Sequence, residues 1–169
     1  MLPVRSVGVQ GDCRTYRHPV VLWRTGGGPV GWDVAEAAAT ELANRVCGVN
    51  RVVLAVEDLE GRELRVRPTW LDRTAVARLQ ELDLRVRRRL AARAEVWQVP
   101  VVTLPLFDAG GRQAYVVRPV TSTDAMTADF YRLEPDALLE LCAEIDALGG
   151  FGPMLYDVSS KPPATIEWE

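Results

Sequence analysis

The stretch CGVNRVVLAVED (Cys47–Asp58) decides the fold, because GGFGPMLYDVSS (Gly149–Ser160) repeats its pattern without gaps. Each stretch has, within its first two residues, a glycine that can end a helix, followed by an apolar run of strand length. A pair of strands and then a helix are predicted upstream of each stretch. This agreement predicts an internal duplication.

Both units can be traced outward from these stretches by hydrophobic period and turn residues. In the first unit we predict strands over Val4–Asp12 and Pro19–Trp23, a polar turn between them, and a final strand over Asn50–Asp58. A helix over Asp33–Cys47 is indicated by an acidic capping-box pattern. A long amphipathic helix, Asp72–Glu95, follows, with Asp72 or Thr74 as its cap.

The second unit is predicted to start with Val99–Phe107, whose prolines favour an edge strand, and to turn through DAGGRQ into Ala114–Val120. A helix begins near Pro135 and ends at a pair of glycines, and a strand covers Pro153–Val158. ATIEW, near the end of the chain, can form one more short strand.

The predicted fold class is α+β, with two tandem β-β-α-β units joined by a long helix. We predict residues 1–70 as the first unit, 71–97 as the connecting helix and 98–169 as the second unit. Each unit is a small sheet covered by its helix on one face. Its uncovered face or edge requires a partner, which is either the other unit or a second chain.

Composition argues against several functions. The net charge is −3, so no general attraction to nucleic acid or membranes is expected, and no apolar run reaches the length of a membrane span. Three scattered cysteines and one histidine argue against a zinc site or a disulfide framework and favour the cytoplasm. No phosphate-binding loop of the G-x-x-x-x-G-K-[ST] type and no G-x-S-x-G occurs, so we predict no catalytic and no metal-ligating residues.

Almost all of the positively charged side chains are arginines: 19 residues are arginine and one is Lys161. An ammonium is a compact charge on a flexible stem, unlike the planar guanidinium, and suits a phosphate contact. The count alone favours chance. Lys161 lies in SSKPPATIEWE (Ser159–Glu169), and the context of that segment changes the interpretation.

Three stretches together resemble the C-terminal dimerisation domain of GMP synthase: VGVQGDCRTY, RPVTSTDAMTADF and YDVSSKPPATIEWE (residues 7–16, 118–130 and 156–169). The resemblance extends through VNRVV, P-T-W-L and QVPVVTLPL, which are similar to the longer form with two dimerisation units. One departure is Ala125, where the family pattern S-D-F-M-T-A has an aromatic residue.

The resemblance implies a role in converting xanthosine monophosphate (XMP) to GMP with ATP and glutamine-derived ammonia. The glutaminase and ATP-pyrophosphatase domains that do this chemistry are missing from the sequence, so the chain is expected to be inactive alone. The implied partners are a second copy, those two domains and XMP. ATP and Mg²⁺ are expected on the partner synthetase domain, and no cofactor on this chain.

The resemblance also implies the site residues. Lys161, Arg14 and Gln98 are expected to contact the 5′-phosphate, and Ile166 and Glu167 to lie against the base and ribose. Each has a structural alternative: a surface ion pair for Arg14, a strand-end cap for Gln98, a core position for Ile166 and a solvated edge for Glu167. Asp12, Asp124 and Asp157 are expected to shape loops by hydrogen bonding.

Two other functions remain open from the sequence. One is a free-standing module that binds purine nucleotides after loss of the enzyme, and the other is an assembly module without a ligand. The sequence leaves undecided whether the chain is a natural separate subunit or a fragment. It also leaves undecided whether the chain binds XMP without the catalytic domain.

Overall fold

The computed structural model describes residues 1–10 and 13–168, and it is a mixed α+β structure. The described residues form nine strands and three helices: β1 (Ser6–Gln10), β2 (Cys13–Leu22), α1 (Trp32–Arg45), β3 (Val49–Ala55), β4 (Arg65–Val66), α2 (Arg73–Leu90), β5 (Val101–Phe107), β6 (Gln113–Val117), β7 (Val120–Thr121), β8 (Asp129–Phe130), α3 (Pro135–Asp146) and β9 (Phe151–Asp157).

Within the described residues, seven strands join one sheet in the order β1-β2-β3-β9-β6-β5-β4, and β7 pairs with β8 separately. The prediction of two small sheets was wrong in this respect. The free edge of β3 pairs antiparallel with β9, where Leu54 lies opposite Tyr156, and this pairing makes the sheet continuous. This pairing satisfies backbone donors and acceptors of the paired residues within the chain.

The pairing around the two central strands is similar on both sides. β1 runs antiparallel to β2, which runs parallel to β3. β5 runs antiparallel to β6, which runs parallel to β9. β5 is not the edge that its prolines predicted, because the two-residue strand β4 pairs with its end at Leu106 and Phe107.

One face of the sheet carries all three helices in the described part of the chain. Alternation along each strand sends every second side chain to this face, such as Val52 and Leu54 of β3 and Tyr156 of β9. α1 contributes small side chains, Ala35 and Ala39, which allow close packing. The core on this face is completed by buried residues of the other two helices: Leu82, Val86, Leu90, Leu138, Leu141, Cys142 and Ile145.

The long helix α2 covers the sheet as well as linking its halves. Leu82, Val86 and Leu90 recur every four residues and are buried, so one face of α2 belongs to the core. Asp72 caps it, because its carboxylate accepts a hydrogen bond from Ala75 N at 2.8 Å. The helix is shorter than the predicted Asp72–Glu95.

Two local predictions were wrong. The residues predicted as a polar turn, CRTYRH, are the first part of β2, because polar and half-exposed side chains suit a strand near the sheet edge. The predicted capping box of α1 does not form: Gly31 is the cap residue and no side chain caps the helix. The turn after β5 was predicted correctly, with Asp108 N donating to Arg112 O at 3.0 Å.

The opposite face of the sheet has a smaller apolar cluster formed by the other alternating positions, including Val53, Ala55, Val116 and Leu155. Leu2 and Val4 near the N-terminus and Trp168 near the end of the chain pack against this cluster. The chain after β9 therefore crosses the sheet face that the helices leave free. No helix in the described ranges is both long and apolar enough to cross a membrane.

Candidate functional site

The segment Ser159–Trp168, called the tail below, follows β9. It contains no regular strand, so the predicted short strand at ATIEW was wrong. Isolated bridges hold it instead: Lys161 pairs with Ala128, and Ala164 pairs with Gly8 of β1. The Lys161–Ala128 bridge has hydrogen bonds in both directions, at 2.7 and 3.3 Å.

Lys161 lies in a surface cleft of about 660 Å³ and is partly buried. Its Nζ donates to the carbonyl oxygen of Ala125 at 2.6 Å. The lining also contains hydroxyl groups, among them Thr121 and Ser160, and two carboxylates, Glu95 and Asp129. Among the lining residues that the structure describes, Lys161 is the one cation. An ammonium in this position can meet an anion that enters the cleft.

The loop that holds the Lys161 ammonium is shaped by short-range hydrogen bonds. Asp124 Oδ1 accepts from Met126 N at 2.9 Å and Thr127 N at 3.2 Å, which agrees with the loop-shaping role expected of this residue. Ala125 has a positive φ of 60°, a region that non-glycine residues rarely adopt. The carbonyl of Ala125 thereby faces the tail.

A cluster of three fully buried charged side chains holds the tail to the sheet. Arg51 lies on β3, Asp157 on β9, and Arg118 directly after β6. The three strands are neighbours in the sheet. Arg51 Nη1 lies 2.7 Å from Asp157 Oδ2, and Arg118 Nη1 lies 2.9 Å from Asp157 Oδ1. One carboxylate therefore joins two guanidiniums, with one oxygen for each.

The two guanidiniums bind the tail through its backbone carbonyls. Arg51 Nη2 donates to Thr165 O at 3.1 Å, to Thr165 Oγ1 at 2.9 Å and to Glu167 O at 2.9 Å. Arg118 donates from Nη1 to Ser159 O at 2.9 Å and from Nε to Ile166 O at 3.1 Å. The tail is thus fixed on both sides of Lys161.

Trp168 adds a third attachment. Its Nε1 donates to Asp157 Oδ2 at 2.6 Å, and the Arg51 guanidinium lies 4.7 Å from the centre of its ring. This cation–π contact is partly shielded from water, which strengthens it. Asp157 was expected to shape a loop, and it does so by accepting from Ser159 N at 2.9 Å, but its main partners are the arginines.

The charge states of the cluster follow from burial and mutual attraction. Burial by itself would raise the pKa of Asp157, but the adjacent Arg118 and Arg51 and their hydrogen bonds hold that pKa below its usual value. Burial lowers the pKa of Arg118 to about 10. Asp157 is therefore ionised and Arg118 protonated at neutral pH.

The two other residues expected at the phosphate lie on neighbouring elements. Arg14 is exposed on β2 and pairs with Val9, whose N–H donates to Pro163 O of the tail at 2.7 Å. Gln98 forms an isolated bridge with Val120, beside Thr121 of the cleft lining. The contact with the tail beside Arg14 is made by its strand partner Val9, and Gln98 is joined to the residue before Thr121 by two backbone hydrogen bonds. Asp12 lies outside the described residues.

Ile166 and Glu167 are oriented differently from each other. Ile166 is 8% exposed and packs with Val120 and Ala128 in a small apolar cluster beneath the cleft. Glu167 is exposed, and its carbonyl oxygen is bound by Arg51. The structure therefore places the Ile166 side chain in the core and leaves the Glu167 carboxylate at the surface.

Sequence reasoning did not single out Arg51 and Arg118, which bind the tail to the sheet. A signal was present, because each is a charged residue in or beside a strand that is otherwise apolar, as in NRVVLAV and AYVVRPV. Alternation places Arg51 with Val53, and Arg118 with Val116, on the face opposite the helices.

A second group of titratable residues lies elsewhere, at the other end of β9. Glu57, Cys142 and Asp146 bring one potential metal-ligand atom each within 4.8 Å of one another. Burial raises the pKa of Glu57 and raises the pKa of the Cys142 thiol to about 12. Arg112 Nη1 lies 3.8 Å from Asp146 Oδ1, so this group already has a cation of its own.

The comparisons with known proteins agree with the resemblance. Residues 86–168 match the family model described as GMP synthase C terminal domain. A probable glutamine-hydrolysing GMP synthase of Leptospira interrogans is 37% identical over 100% of this chain and 28% of that protein. The chain belongs to the GMP synthase C-terminal domain family.

Other relatives carry the same name. A probable GMP synthase of Caenorhabditis elegans is 32% identical over 100% of this chain and 26% of that protein. A GMP synthase of Cytophaga hutchinsonii is 36% identical over 74% of this chain and 27% of that protein. The chain therefore spans little more than a quarter of the length of these curated relatives. The tail and its cleft lie inside the part that matches the family model, while Arg51 and Arg14 lie outside it.

Proposed function

We propose that this chain supplies the dimerisation and XMP-binding part of a GMP synthase. In that enzyme XMP is converted to GMP with ATP and glutamine-derived ammonia. The ATP-pyrophosphatase and glutaminase domains are the proposed partners, and ATP and Mg²⁺ are bound by the synthetase domain. The chain itself contributes binding groups and no catalytic residue, and the cytoplasm is its proposed location.

The observation that carries the proposal is the position of Lys161. Its ammonium is held at a cleft by Ala125 O, on a segment fixed to the sheet at both ends. The two prolines that follow reduce the chain entropy lost when the segment is ordered around a ligand. The exposed hydroxyl groups of Thr123 and Thr127, which also line the cleft, provide further donors for phosphate oxygens.

Four further residues are proposed to contribute to the site. Arg14 on β2 would offer a forked, charge-assisted contact to phosphate. Gln98, which is bridged to Val120 next to Thr121 of the cleft lining, would offer its side-chain amide. The exposed Glu167 carboxylate can accept hydrogen bonds from ribose hydroxyls. Ile166 supports the site from below, through its packing with Val120 and Ala128, and does not face the ligand.

Calorimetry with XMP tests the proposal on the full chain. We expect weak binding by the wild type, because the synthetase domain that forms the other wall is absent, and no measurable binding by Lys161→Ala. Lys161→Arg keeps the charge but replaces the compact ammonium, so it should bind less well than the wild type.

Arg24→Ala is the matched control, because it removes one exposed positive charge outside the cleft lining. It should bind XMP as the wild type does. Binding that survives Lys161→Ala would remove Lys161 from the site. If the wild type shows no binding up to millimolar XMP, the calorimetry is repeated with the separate ATP-pyrophosphatase domain added. Absence of XMP binding in that mixture contradicts the proposal.

We propose further that β1-β2-α1-β3 and β5-β6-α3-β9 are the two copies of one duplicated unit. The support is the shared order of an antiparallel pair, a helix and a parallel strand. The gapless agreement of Cys47–Asp58 with Gly149–Ser160 falls on β3 and β9, the two strands that pair at the centre of the sheet.

A homodimer is the proposed assembly. Its support is the apolar surface beside β4, where Trp70 is 80% and Leu71 is 87% exposed. Large apolar groups left together in water are typical of surfaces that bind another protein. Analytical ultracentrifugation at micromolar concentration should give a dimer, and Leu71→Asp should give a monomer. A wild-type monomer under these conditions contradicts this assembly.

A further inference from the structure

The buried Arg51–Asp157–Arg118 cluster does more than stabilise the fold. Buried ion pairs can often be replaced by apolar side chains without loss of stability, because removing two charges from water is costly. Apolar side chains cannot, however, bind carbonyl oxygens. In this cluster the two guanidiniums contact carbonyls of four tail residues, Ser159, Thr165, Ile166 and Glu167.

The four carbonyls lie on both sides of Lys161. Ser159 O is fixed by Arg118, two residues before Lys161, and Thr165 O is fixed by Arg51, four residues after it. The segment between them is a short loop closed by the Ala164 N to Ser160 O hydrogen bond of 3.2 Å. A loop this short with two fixed ends and two prolines has few conformations.

The direction in which Lys161 points therefore depends on two arginines that do not touch the cleft. We propose that Arg51 and Arg118 are positioning residues, which fix the tail so that the Lys161 ammonium is presented to the phosphate of a purine nucleoside monophosphate. This inference rests on the proposed function for the ligand, but its structural part can be tested without one.

The fork of the guanidinium is essential to this role. Arg51 reaches Asp157 with Nη1 while Nη2 contacts Val7 O, Thr165 and Glu167 O. A lysine at this position keeps the charge beside Asp157 but has a single nitrogen, and it cannot bind both the carboxylate and this set of oxygens. Arg51→Lys therefore separates charge balance from positioning.

Native-state hydrogen exchange on the full chain is the first measurement. The Lys161 N–H donates to Ala128 O at 2.7 Å and reports on the tail, and the N–H groups of β6 report on the core. In Arg51→Lys we expect Lys161 N–H exchange to accelerate at least tenfold, with β6 unchanged. Equal acceleration in both places, or none in the tail, overturns the inference.

XMP calorimetry on the same variant is the second measurement, with at least a tenfold loss of affinity expected. Arg89→Lys is the matched control, because Arg89 also bridges two carboxylates, Glu140 and Glu144, but makes no contact with the tail. It should leave exchange at Lys161 and XMP affinity unchanged. Loss of affinity in Arg89→Lys equal to that in Arg51→Lys contradicts positioning by Arg51.

A failure of the ligand assignment gives a different result. If the wild type does not bind XMP even with the synthetase domain, the proposed function fails, while faster tail exchange in Arg51→Lys still supports the structural part. Should Arg51→Lys not fold, Thr165→Val removes one Arg51 acceptor on the tail without altering the buried charges. A severalfold acceleration at Lys161 then supports the inference, and unchanged exchange overturns it.

Discussion

Arg51 and Asp157 face each other across the centre of the sheet, with Arg51 Nη1 2.7 Å from Asp157 Oδ2 and neither side chain exposed. Arg51 lies near the start of β3 and Asp157 at the end of β9. Because these strands are antiparallel, both residues are at the same end of the sheet. Arg118 follows β6, which runs parallel to β9, and joins them there.

Asp157→Asn should strongly destabilise the fold. The substitution leaves two buried guanidiniums without their shared carboxylate, and removing one partner of a buried ion pair costs about 3–5 kcal/mol. We expect urea unfolding to show a loss of this size in the free energy of unfolding. Asp83→Asn breaks the surface ion pair with Arg87 and should cost no more than ~1 kcal/mol. Equal losses for the two variants would contradict the structure of the cluster.

Gly8→Ala should push the tail away from β1. A Cβ at Gly8 would lie 2.7 Å from Pro163 O and 2.8 Å from Asn50 Cβ, and neither contact can relax without movement of the backbone or a buried side chain. We expect a cost of about 1–3 kcal/mol in the free energy of unfolding. Exchange of the Val9 N–H, which donates to Pro163 O, should also accelerate.

Gly31→Ala is the control for that substitution. A Cβ at Gly31 meets nothing within 4 Å, and its φ of −58° suits any residue. Its free energy of unfolding should change by less than ~1 kcal/mol, since the poorer cap and the reduced entropy of the unfolded chain oppose each other. Unchanged stability in Gly8→Ala would show that the tail does not contact β1 as described.

The sequence predicted most of the local structure because local structure depends on local pattern. The valine-rich run of β3, the cap at Asp72 and the glycine pair after α3 all follow from residues close in the chain. The number of sheets could not be predicted from local sequence pattern. It depends on the pairing of β3 with β9, which lie about a hundred residues apart in the sequence.

The candidate site was predictable only in part, for the same reason. Lys161 was proposed from the motif around it, because its rarity alone favoured chance. Arg51 and Asp157 lie on β3 and β9, and Arg118 directly follows β6. They meet because the strand order is β3-β9-β6, and no local sequence pattern predicts that order. The Ile166 side chain was assigned to the ligand, although its burial depends on packing against Val120 and Ala128.

The core role of α2 leads to a prediction that compares two leucines of one helix. Leu82 is fully buried against the sheet, whereas Leu84, two residues along, is 40% exposed. Leu82→Ala should lower the free energy of unfolding by about 2–5 kcal/mol, and Leu84→Ala by less than ~1 kcal/mol. Urea unfolding of both variants checks this. Similar small losses would mean that α2 only connects the two halves.

The pH dependence of stability should report on Glu57. Burial raises the pKa of Glu57, so its contribution to stability is complete below about pH 4.5 and is lost as the pH rises through the folded-state value. The negative charge of Asp146 also raises the pKa of Glu57, whereas the Arg112 guanidinium and the hydrogen bond from Met154 N lower it. The Cys142 thiol lies close to the Glu57 carboxyl as well.

Glu57→Gln keeps an acceptor for Met154 N without the buried charge. The variant should therefore be more stable than the wild type at pH 7 and similar at pH 4. Glu60→Gln is the control, because Glu60 is on the exposed turn that follows, and its stability should depend on pH as that of the wild type does. If the stability of Glu57→Gln had the same pH dependence as that of Glu60→Gln, a buried carboxyl at position 57 would be contradicted.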